Sequence, residues 1–122
     1  MRIFVVENHR DTLAALTHYL NQMGHTVASA GTVEGALKAL PGSRCDVFIC
    51  DIGLPDGDGW ELLKRARLEP RVYTIAMSGF GHKSDCGRSE AAGYRRHLLK
   101  PFFPDDLDGI LAEAAAGAGN GS

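Results

Sequence analysis

Short apolar runs alternate with amphipathic stretches along the chain. Five runs are short, apolar and rich in β-branched residues, which predicts strands; they are residues 3–6, 26–30, 47–50, 72–77 and 95–99. Each run is followed by a stretch in which apolar positions recur every three or four residues, which predicts a helix with one apolar face. The third run shows no alternation of apolar and polar residues, so we expect its strand to be covered on both faces.

Polar residues, prolines and glycines mark the expected ends of the helices. Asp11 is expected to cap the first helix, Thr32 the second and Asp58 the third, because these side chains accept hydrogen bonds from the first free N–H groups. Pro41-Gly42 is expected to end the second helix, and Pro104 to begin the last one.

Five strand-helix units in strict alternation predict an α/β fold, a parallel sheet with helices on both faces. For 122 residues, the economical arrangement is a doubly wound five-stranded parallel sheet of the flavodoxin-like type, with strand order 2-1-3-4-5 by analogy. We expect one domain over residues 1–116 and a flexible Gly-rich tail over residues 117–122.

Composition narrows the range of functions. A net charge of -2 without a basic patch argues against direct binding to nucleic acid or to an anionic membrane. The first apolar run is too short for a signal peptide or a membrane span. Cys45, Cys50 and Cys86 are odd in number and lack metal-binding spacing, so we expect no disulfide framework, no zinc site, and a reducing cytoplasm.

Polar side chains follow four of the predicted strands. They are Glu7 and Asn8, Asp51, Ser78 and Lys100. Because the carboxyl ends of parallel strands meet at one edge of the sheet, we expect these groups to surround one crevice. This set suits phosphoryl transfer to a carboxylate: Asp51 as nucleophile, Lys100 as a mobile positive charge and Ser78 as a donor to a phosphate oxygen.

The acidic side of this crevice suits a divalent cation, with Mg²⁺ as the first choice. Glu7, Asn8, Asp51 and a backbone carbonyl just beyond Asp51 supply only oxygen ligands, which a hard cation prefers. Without a metal, the two carboxylates repel each other.

Five segments carry motifs at characteristic spacings: Val5-Val6-Glu7, Asp51-Ile-Gly-Leu-Pro55, Asp58-Gly59-x-Glu61-Leu62, Ala76-Met-Ser78-Gly79 and Lys100-Pro101-Phe102. In this order they resemble the receiver domain of two-component response regulators over residues 2 to about 115. Two longer runs, residues 5–9 and 51–62, also resemble receivers attached to hybrid sensor kinases. The resemblance implies phosphorylation of Asp51, a switch hydroxyl at Ser78, a phosphate-binding Lys100 followed by a cis peptide bond, and a metal-binding carbonyl at Gly53.

Two residues depart from the family pattern. Asn8 stands where the family usually has a second acid, which predicts weaker Mg²⁺ binding because a negative charge is lost. His97 stands where the family often has Tyr or Phe that turns inward towards the switch hydroxyl. Two interpretations of His97 stay open, an inward-turning switch residue or a polar surface residue.

The resemblance implies a cytoplasmic signalling domain that a histidine kinase or a histidine phosphotransfer domain phosphorylates. Its own chemistry would be limited to self-catalysed phosphoryl transfer and autodephosphorylation. Phosphate would reorder the loop after Ser78 and the face formed by the last two strand-helix units, which a partner would recognise. A weak homodimer through the last helices is compatible with the pattern, although no exposed apolar stripe favours it strongly.

Two other functional classes are open to comparison. The first is a phosphate-independent pseudo-receiver that acts only as an interaction module, an interpretation supported by Asn8. The second is a phosphatase with an aspartate nucleophile, which typically carries a second Asp two residues after the first. Gly53 occupies that position, so the sequence disfavours the enzyme.

Overall fold

A computed structural model of the protein describes residues 1–79 and 85–119. The elements follow one another along the chain as β1 (Arg2–Val6), α1 (Arg10–Gln22), β2 (Thr26–Ala30), α2 (Val33–Ser43), β3 (Val47–Asp51), β4 (Gly53–Leu54), β5 (Gly57–Asp58), α3 (Gly59–Ala66), β6 (Tyr73–Ser78), α4 (Asp85–Ala92), β7 (Arg96–Leu99) and α5 (Pro104–Gly119).

Five of the strands form one parallel sheet. Their order is β2-β1-β3-β6-β7, with every neighbouring pair parallel. This is the predicted order 2-1-3-4-5 once the short strands β4 and β5 are left out of the numbering. The predicted α/β class and topology are therefore confirmed. The antiparallel pair β4–β5, in which Gly53 lies opposite Asp58, falls in a segment that the sequence predicts as a loop.

The sheet separates two apolar cores. Side chains of the central strands alternate between them, because successive residues of a strand point to opposite faces. One core lies under α1 and α5 and contains Ile3, Val5, Ile49, Ile75, Met77, Leu16, Leu20, Leu107 and Leu111. The other lies under α2, α3 and α4 and contains Phe4, Val6, Phe48, Cys50, Ala76, Val33, Leu40 and Leu62. The central strand β3 is thus covered on both faces, as its apolar pattern predicts.

The cysteines are all free thiols. Cys50 is completely buried in the second core, and burial raises the pKa of its thiol to about 12. In this environment the Cys50 thiol is expected to be unreactive.

The predicted helix starts are correct for α2 and α3 and wrong for α1. Thr32 Oγ1 accepts from the backbone N–H of Gly35 at 2.9 Å, and Asp58 Oδ1 accepts from that of Glu61 at 2.8 Å. The first helix is capped by His9 instead of Asp11. Its ring nitrogen Nδ1 takes the place of the usual oxygen acceptor, and Asp11 lies in the first turn.

Two predicted helix ends also differ from the structure. Helix α2 does not end at Pro41-Gly42 but continues to Ser43 and ends at Arg44, which has φ of 49°. A proline near the end of a helix removes only one hydrogen bond, and the Ser43 hydroxyl donates to the carbonyl oxygen of Leu40 at 2.8 Å. Helix α5 begins at Pro104, as predicted, and extends to Gly119. Residues 117–119 of the expected tail are therefore helical, and residues 120–122 lie outside the described part.

Strands β2 and β7 form the edges of the sheet. At the β7 edge, Arg96 pairs with Glu113 of α5 at 2.7 Å, and the Tyr73 hydroxyl donates to the same carboxylate at 2.8 Å. These bonds, the one to Arg96 first, hold the pKa of Glu113 below its usual value. Within residues 1–79 and 85–119, no helix is both long and apolar enough to cross a membrane.

Gly59 allows helix α3 to begin directly against the end of β3. Its N–H donates to the carbonyl of Ile52 at 2.9 Å, and its own carbonyl accepts from the Tyr94 hydroxyl at 2.7 Å. A Cβ atom at this position would lie 2.7 Å from the carbonyl oxygen of Asp51 and 2.9 Å from Cα of Ile52. Both neighbours are backbone atoms, so they have little freedom to move aside.

Replacement of Gly59 by Ala is expected to lower the free energy of unfolding by about 1–3 kcal/mol, the usual cost of forcing extra volume into a packed site. Urea unfolding followed by circular dichroism measures the change. Gly109→Ala is the matched control, because nothing lies within 4 Å of a Cβ there and alanine favours the α5 helix. Equal stability of the two variants would contradict the proposed close approach.

Candidate functional site

The strand register brings the predicted site residues to one edge of the sheet. Asp51 of β3 lies opposite Met77, so Ser78 follows immediately on the neighbouring strand. Ser78 in turn lies opposite Leu99, and Lys100 is the next residue. Val6 lies opposite Cys50, which places Glu7 beside Asp51. The carboxyl ends of four strands therefore surround one crevice, as the sequence predicts.

Lys100 connects the two carboxylates of this crevice. Its Nζ atom lies 2.7 Å from Oδ2 of Asp51 and also forms an ion pair with Glu7. Side-chain exposure is 22% for Lys100 and 15% for Asp51, against 2% for Glu7. A nearly buried carboxylate is costly without a counter-charge, and Lys100 supplies that charge to both acids at once.

The environment of Lys100 favours its charged form. Partial burial alone lowers the pKa of the ammonium, but the hydrogen bonds to Asp51 and Glu7 outweigh burial and raise the pKa above its ordinary value. A raised pKa in the folded state contributes stability that is present below the ordinary pKa and lost as the pH rises through the raised one. Lys100 is therefore fully charged at neutral pH.

Backbone groups hold the remaining carboxylate oxygens. The N–H of Gly53 donates to Oδ1 of Asp51 at 3.0 Å, and the N–H of His9 donates to Oε2 of Glu7 at 3.0 Å. Both donors lie two residues beyond the acid that they contact, in the turn that follows each strand. Asp51 thus presents a partly exposed, oriented carboxylate, whereas Glu7 is held in place beneath it.

Asn8 differs from the other strand-end residues in its position. It is exposed, and its side-chain nitrogen donates to the carbonyl oxygen of Gly31 at 3.1 Å. Its amide is therefore anchored to the loop between β2 and α2. In the described ranges, no group of three His, Cys, Asp or Glu residues could hold a metal ion. Asn8 is an amide, so among the strand-end residues named above Glu7 and Asp51 are the two carboxylates.

The donor set still fits a hard cation. Glu7 and Asp51 provide two carboxylates, and Asn8 and Gly53 provide neutral carbonyl oxygens, the ligand types that Mg²⁺ takes in proteins. The set carries two negative charges instead of three, and the weaker Mg²⁺ binding expected from this difference stays a prediction. The predicted metal-binding roles of Glu7, Asn8, Asp51 and Gly53 stay predictions.

Ser78 and His97 are in direct contact. The Ser78 hydroxyl lies 2.6 Å from Nε2 of His97, and Nδ1 of the same ring lies 2.8 Å from the hydroxyl of Ser89. The ring is partly buried between two hydroxyls, so the structure places His97 inward and not on the open surface. Its role as a switch residue stays a prediction, and residues 80–84, where the expected loop movement falls, lie outside the described part.

Two further features of the site follow from the structure. The peptide bond between Lys100 and Pro101 is cis, as the family resemblance implies. Ser89 of α4, which has only 1% exposure, contacts His97 and has no counterpart among the residues chosen from the sequence. The short polar helix that contains it gives no periodic signal from which its inward face could be predicted.

Comparison with known proteins agrees with this geometry. The family model described as "Response regulator receiver domain" matches residues 3–112. The Virulence sensor protein BvgS of Bordetella bronchiseptica is 31% identical over an alignment that covers 97% of this chain and 10% of BvgS. The Transcriptional regulatory protein TcrA of Mycobacterium tuberculosis is 33% identical over 88% of this chain and 43% of TcrA. The chain thus spans less than half the length of these relatives.

Solved structures show the same fold. A putative response regulator from Chloroflexus aurantiacus superposes with a TM-score of 0.86 at 28% identity, over 94% of this chain and 97% of the other. A CheY-like response regulator receiver domain protein from Methanospirillum hungatei gives 0.87 at 27% identity, over 98% and 97% of the two chains.

Replacement of Lys100 by Met is expected to lower the free energy of unfolding at pH 7 by about 2–4 kcal/mol, because it leaves the Glu7 carboxylate buried without a counter-charge. Urea unfolding at pH 7 measures the change. Lys38→Met, at an exposed position of α2, is the control. An equal loss of stability in the two variants would show that the bridge from Lys100 to the carboxylates does not stabilise the fold.

Proposed function

Because the chain belongs to the response regulator receiver domain family, we propose that it is a phosphoacceptor that takes a phosphoryl group on Asp51. The observation that carries the proposal is the environment of this carboxylate. It is partly exposed and lies 2.7 Å from the Lys100 ammonium, beside the Ser78 strand end. A family member of this kind is a signalling domain and not a metabolic enzyme.

The proposed reaction is an in-line transfer. A carboxylate oxygen of Asp51 attacks phosphorus and forms a new P–O bond, while the bond from phosphorus to the donor breaks and the donor leaves with the electron pair. A phosphohistidine donor would regenerate its imidazole. Oδ1 accepts from the Gly53 N–H, whereas Oδ2 accepts from the Lys100 ammonium.

Lys100 and Ser78 would stabilise the transferred group. The phosphoryl oxygens carry spread negative charge, so catalysis depends mainly on positive charge and oriented donors. Lys100 can turn from the Asp51 carboxylate to a phosphoryl oxygen, and the Ser78 hydroxyl can donate to another. When bound by Glu7, Asn8, Asp51 and the Gly53 carbonyl, Mg²⁺ would supply further charge neutralisation.

We infer the partners from the same chemistry. The phosphodonor would be a histidine kinase or a histidine phosphotransfer domain. Phosphate on Asp51 would shift the equilibrium between two conformations of the face built from α4, β7 and α5. The three free thiols suit the reducing cytoplasm in which such donors act. A weak homodimer through the last helices stays a prediction; Phe103, just before α5, is 76% exposed.

Replacement of Asp51 by Asn is expected to abolish incorporation of acid-labile phosphate from acetyl phosphate and Mg²⁺, because an amide oxygen is a poor nucleophile. Intact-protein mass spectrometry measures the added phosphate. The control is Asp56→Asn: this neighbouring carboxylate accepts from the backbone N–H groups of Val33 and Glu34 at 2.7 and 3.1 Å, bonds that an amide oxygen can retain in part.

Undiminished labelling of Asp51→Asn would remove Asp51 from the proposal. Absence of both Mg²⁺ binding and phosphorylation in the unaltered protein would favour the pseudo-receiver alternative instead.

Replacement of Asn8 by Asp is expected to tighten Mg²⁺ binding about tenfold, equivalent to about 1.4 kcal/mol, because a third carboxylate joins the donor set. Titration of backbone amide resonances with MgCl₂ measures the dissociation constant. Asn21→Asp, at an exposed position of α1, controls for the change in net charge. An equal effect of the two substitutions would show that Asn8 is not near the cation.

A further inference from the structure

Four side chains on four different elements form a continuous hydrogen-bonded chain that begins at the crevice. Ser78 of β6 contacts Nε2 of His97 of β7 at 2.6 Å, and Nδ1 of His97 contacts Ser89 of α4 at 2.8 Å. The indole nitrogen of Trp60, in the first turn of α3, donates to the Ser89 hydroxyl at 2.9 Å. Both serines are 1% exposed, so water does not compete at these positions.

Trp60, at the end of the chain away from the crevice, determines which group donates and which accepts in each of its hydrogen bonds. An indole N–H can only donate, so the Ser89 oxygen accepts from Trp60. The contacts of Ser89 Oγ within the described ranges are with Trp60 and His97. The single hydrogen of Ser89 therefore points to Nδ1 of His97, because a buried hydroxyl hydrogen without an acceptor is costly.

The tautomer of the His97 ring then determines whether Ser78 donates or accepts. If Nδ1 accepts, a neutral ring carries its hydrogen on Nε2, which then donates to the Ser78 oxygen. The Ser78 oxygen then accepts a hydrogen bond from His97, and the Ser78 hydrogen is free to donate to an acceptor in the crevice. The opposite tautomer would turn the Ser78 hydrogen towards His97 and away from the crevice.

Trp60, at the outer end of the chain, is itself held in place. The guanidinium carbon of Arg88 lies 4.0 Å from the centroid of the Trp60 ring, a cation–π contact. Trp60 also follows Gly59, whose backbone packs against Asp51 and Ile52. The indole is thus held by two residues of α4, Ser89 and Arg88, and its backbone follows the close approach of Gly59 to the end of β3.

We propose that Trp60, Ser89 and His97 are positioning residues that orient the Ser78 hydroxyl as a hydrogen-bond donor towards the phosphoryl group. The chain also joins the crevice to the boundary between α3 and α4, where Trp60 and Arg88 are in contact. Movement of Ser78 towards phosphate changes the bond to His97 and, through Ser89, the surroundings of the indole. The contact of Ser78 with a phosphoryl group rests on the proposed function, whereas the arrangement of the chain does not.

The tautomer of His97 tests the direction of the chain in the unphosphorylated protein. Long-range ¹H–¹⁵N correlation spectra of the side chains distinguish Nε2–H from Nδ1–H, and His97→Gln assigns the ring among the five histidines. We expect the neutral Nε2–H form at pH 7.5. Ser89→Ala and Trp60→Phe should each produce a mixture of tautomers, because the donor to Nδ1 is lost or no longer oriented. A predominant Nδ1–H form, or no change in the variants, would overturn the proposal.

Phosphorylation tests the consequence. Ser89→Ala is expected to slow labelling by acetyl phosphate roughly three- to tenfold, less than the 10²–10³-fold typical for complete loss of a stabilising donor. It should also reduce the fluorescence change of Trp60, the only tryptophan, on addition of beryllofluoride. Ser43→Ala, which removes a hydroxyl bonded to its own helix, is the control and should leave rate and fluorescence unchanged.

The two measurements separate the two proposals. If the unaltered protein takes no phosphate but His97 shows the Nε2–H tautomer and responds to Ser89→Ala, the proposed function fails and the directed chain stands. If labelling occurs but Ser89→Ala leaves tautomer, rate and fluorescence unchanged, the chain fails and Asp51 keeps its role.

Discussion

The ammonium of Lys100 between the Glu7 and Asp51 carboxylates is the interaction on which the site depends. Parallel strands necessarily bring their carboxyl ends together, and in this chain two of them end in acids. One of these acids is almost completely buried, a situation that requires a nearby positive charge. Because Lys100 follows β7 at the same edge, its ammonium holds the two acidic groups together.

Next to this bridge, the two central strands meet helices on one face of the sheet. Asp51 is the last residue of a strand buried on both faces, and the absence of a side chain at Gly59 lets α3 begin against its backbone. On the neighbouring strand, Ser78 turns to the α4 side and meets His97. The helices α3 and α4 thus lie next to the crevice, α3 through the backbone of Gly59 and α4 through the contact of Ser89 with His97.

The fold was largely predictable, because strand-helix alternation and parallel register determine which residues share an edge. Glu7, Asp51, Ser78 and Lys100 could be chosen from their strand ends alone. Contacts that depend on rotamers could not. The amide of Asn8 can turn towards Gly31 or towards the crevice, and the cap at His9 uses a ring nitrogen where oxygen is usual. Ser89 lies on a short polar helix without apolar periodicity, so neither its burial nor its contact with Trp60 is encoded in a local pattern.

The β7 edge has a consequence for behaviour at high local concentration. An exposed edge strand is a template for pairing with another chain. Here the edge is only four residues long, and Arg96 is tied to Glu113 of α5. A second molecule that added a strand at β7 would have to break this ion pair and would gain few backbone hydrogen bonds. The β7 edge is thus a poor template for strand addition by a second molecule.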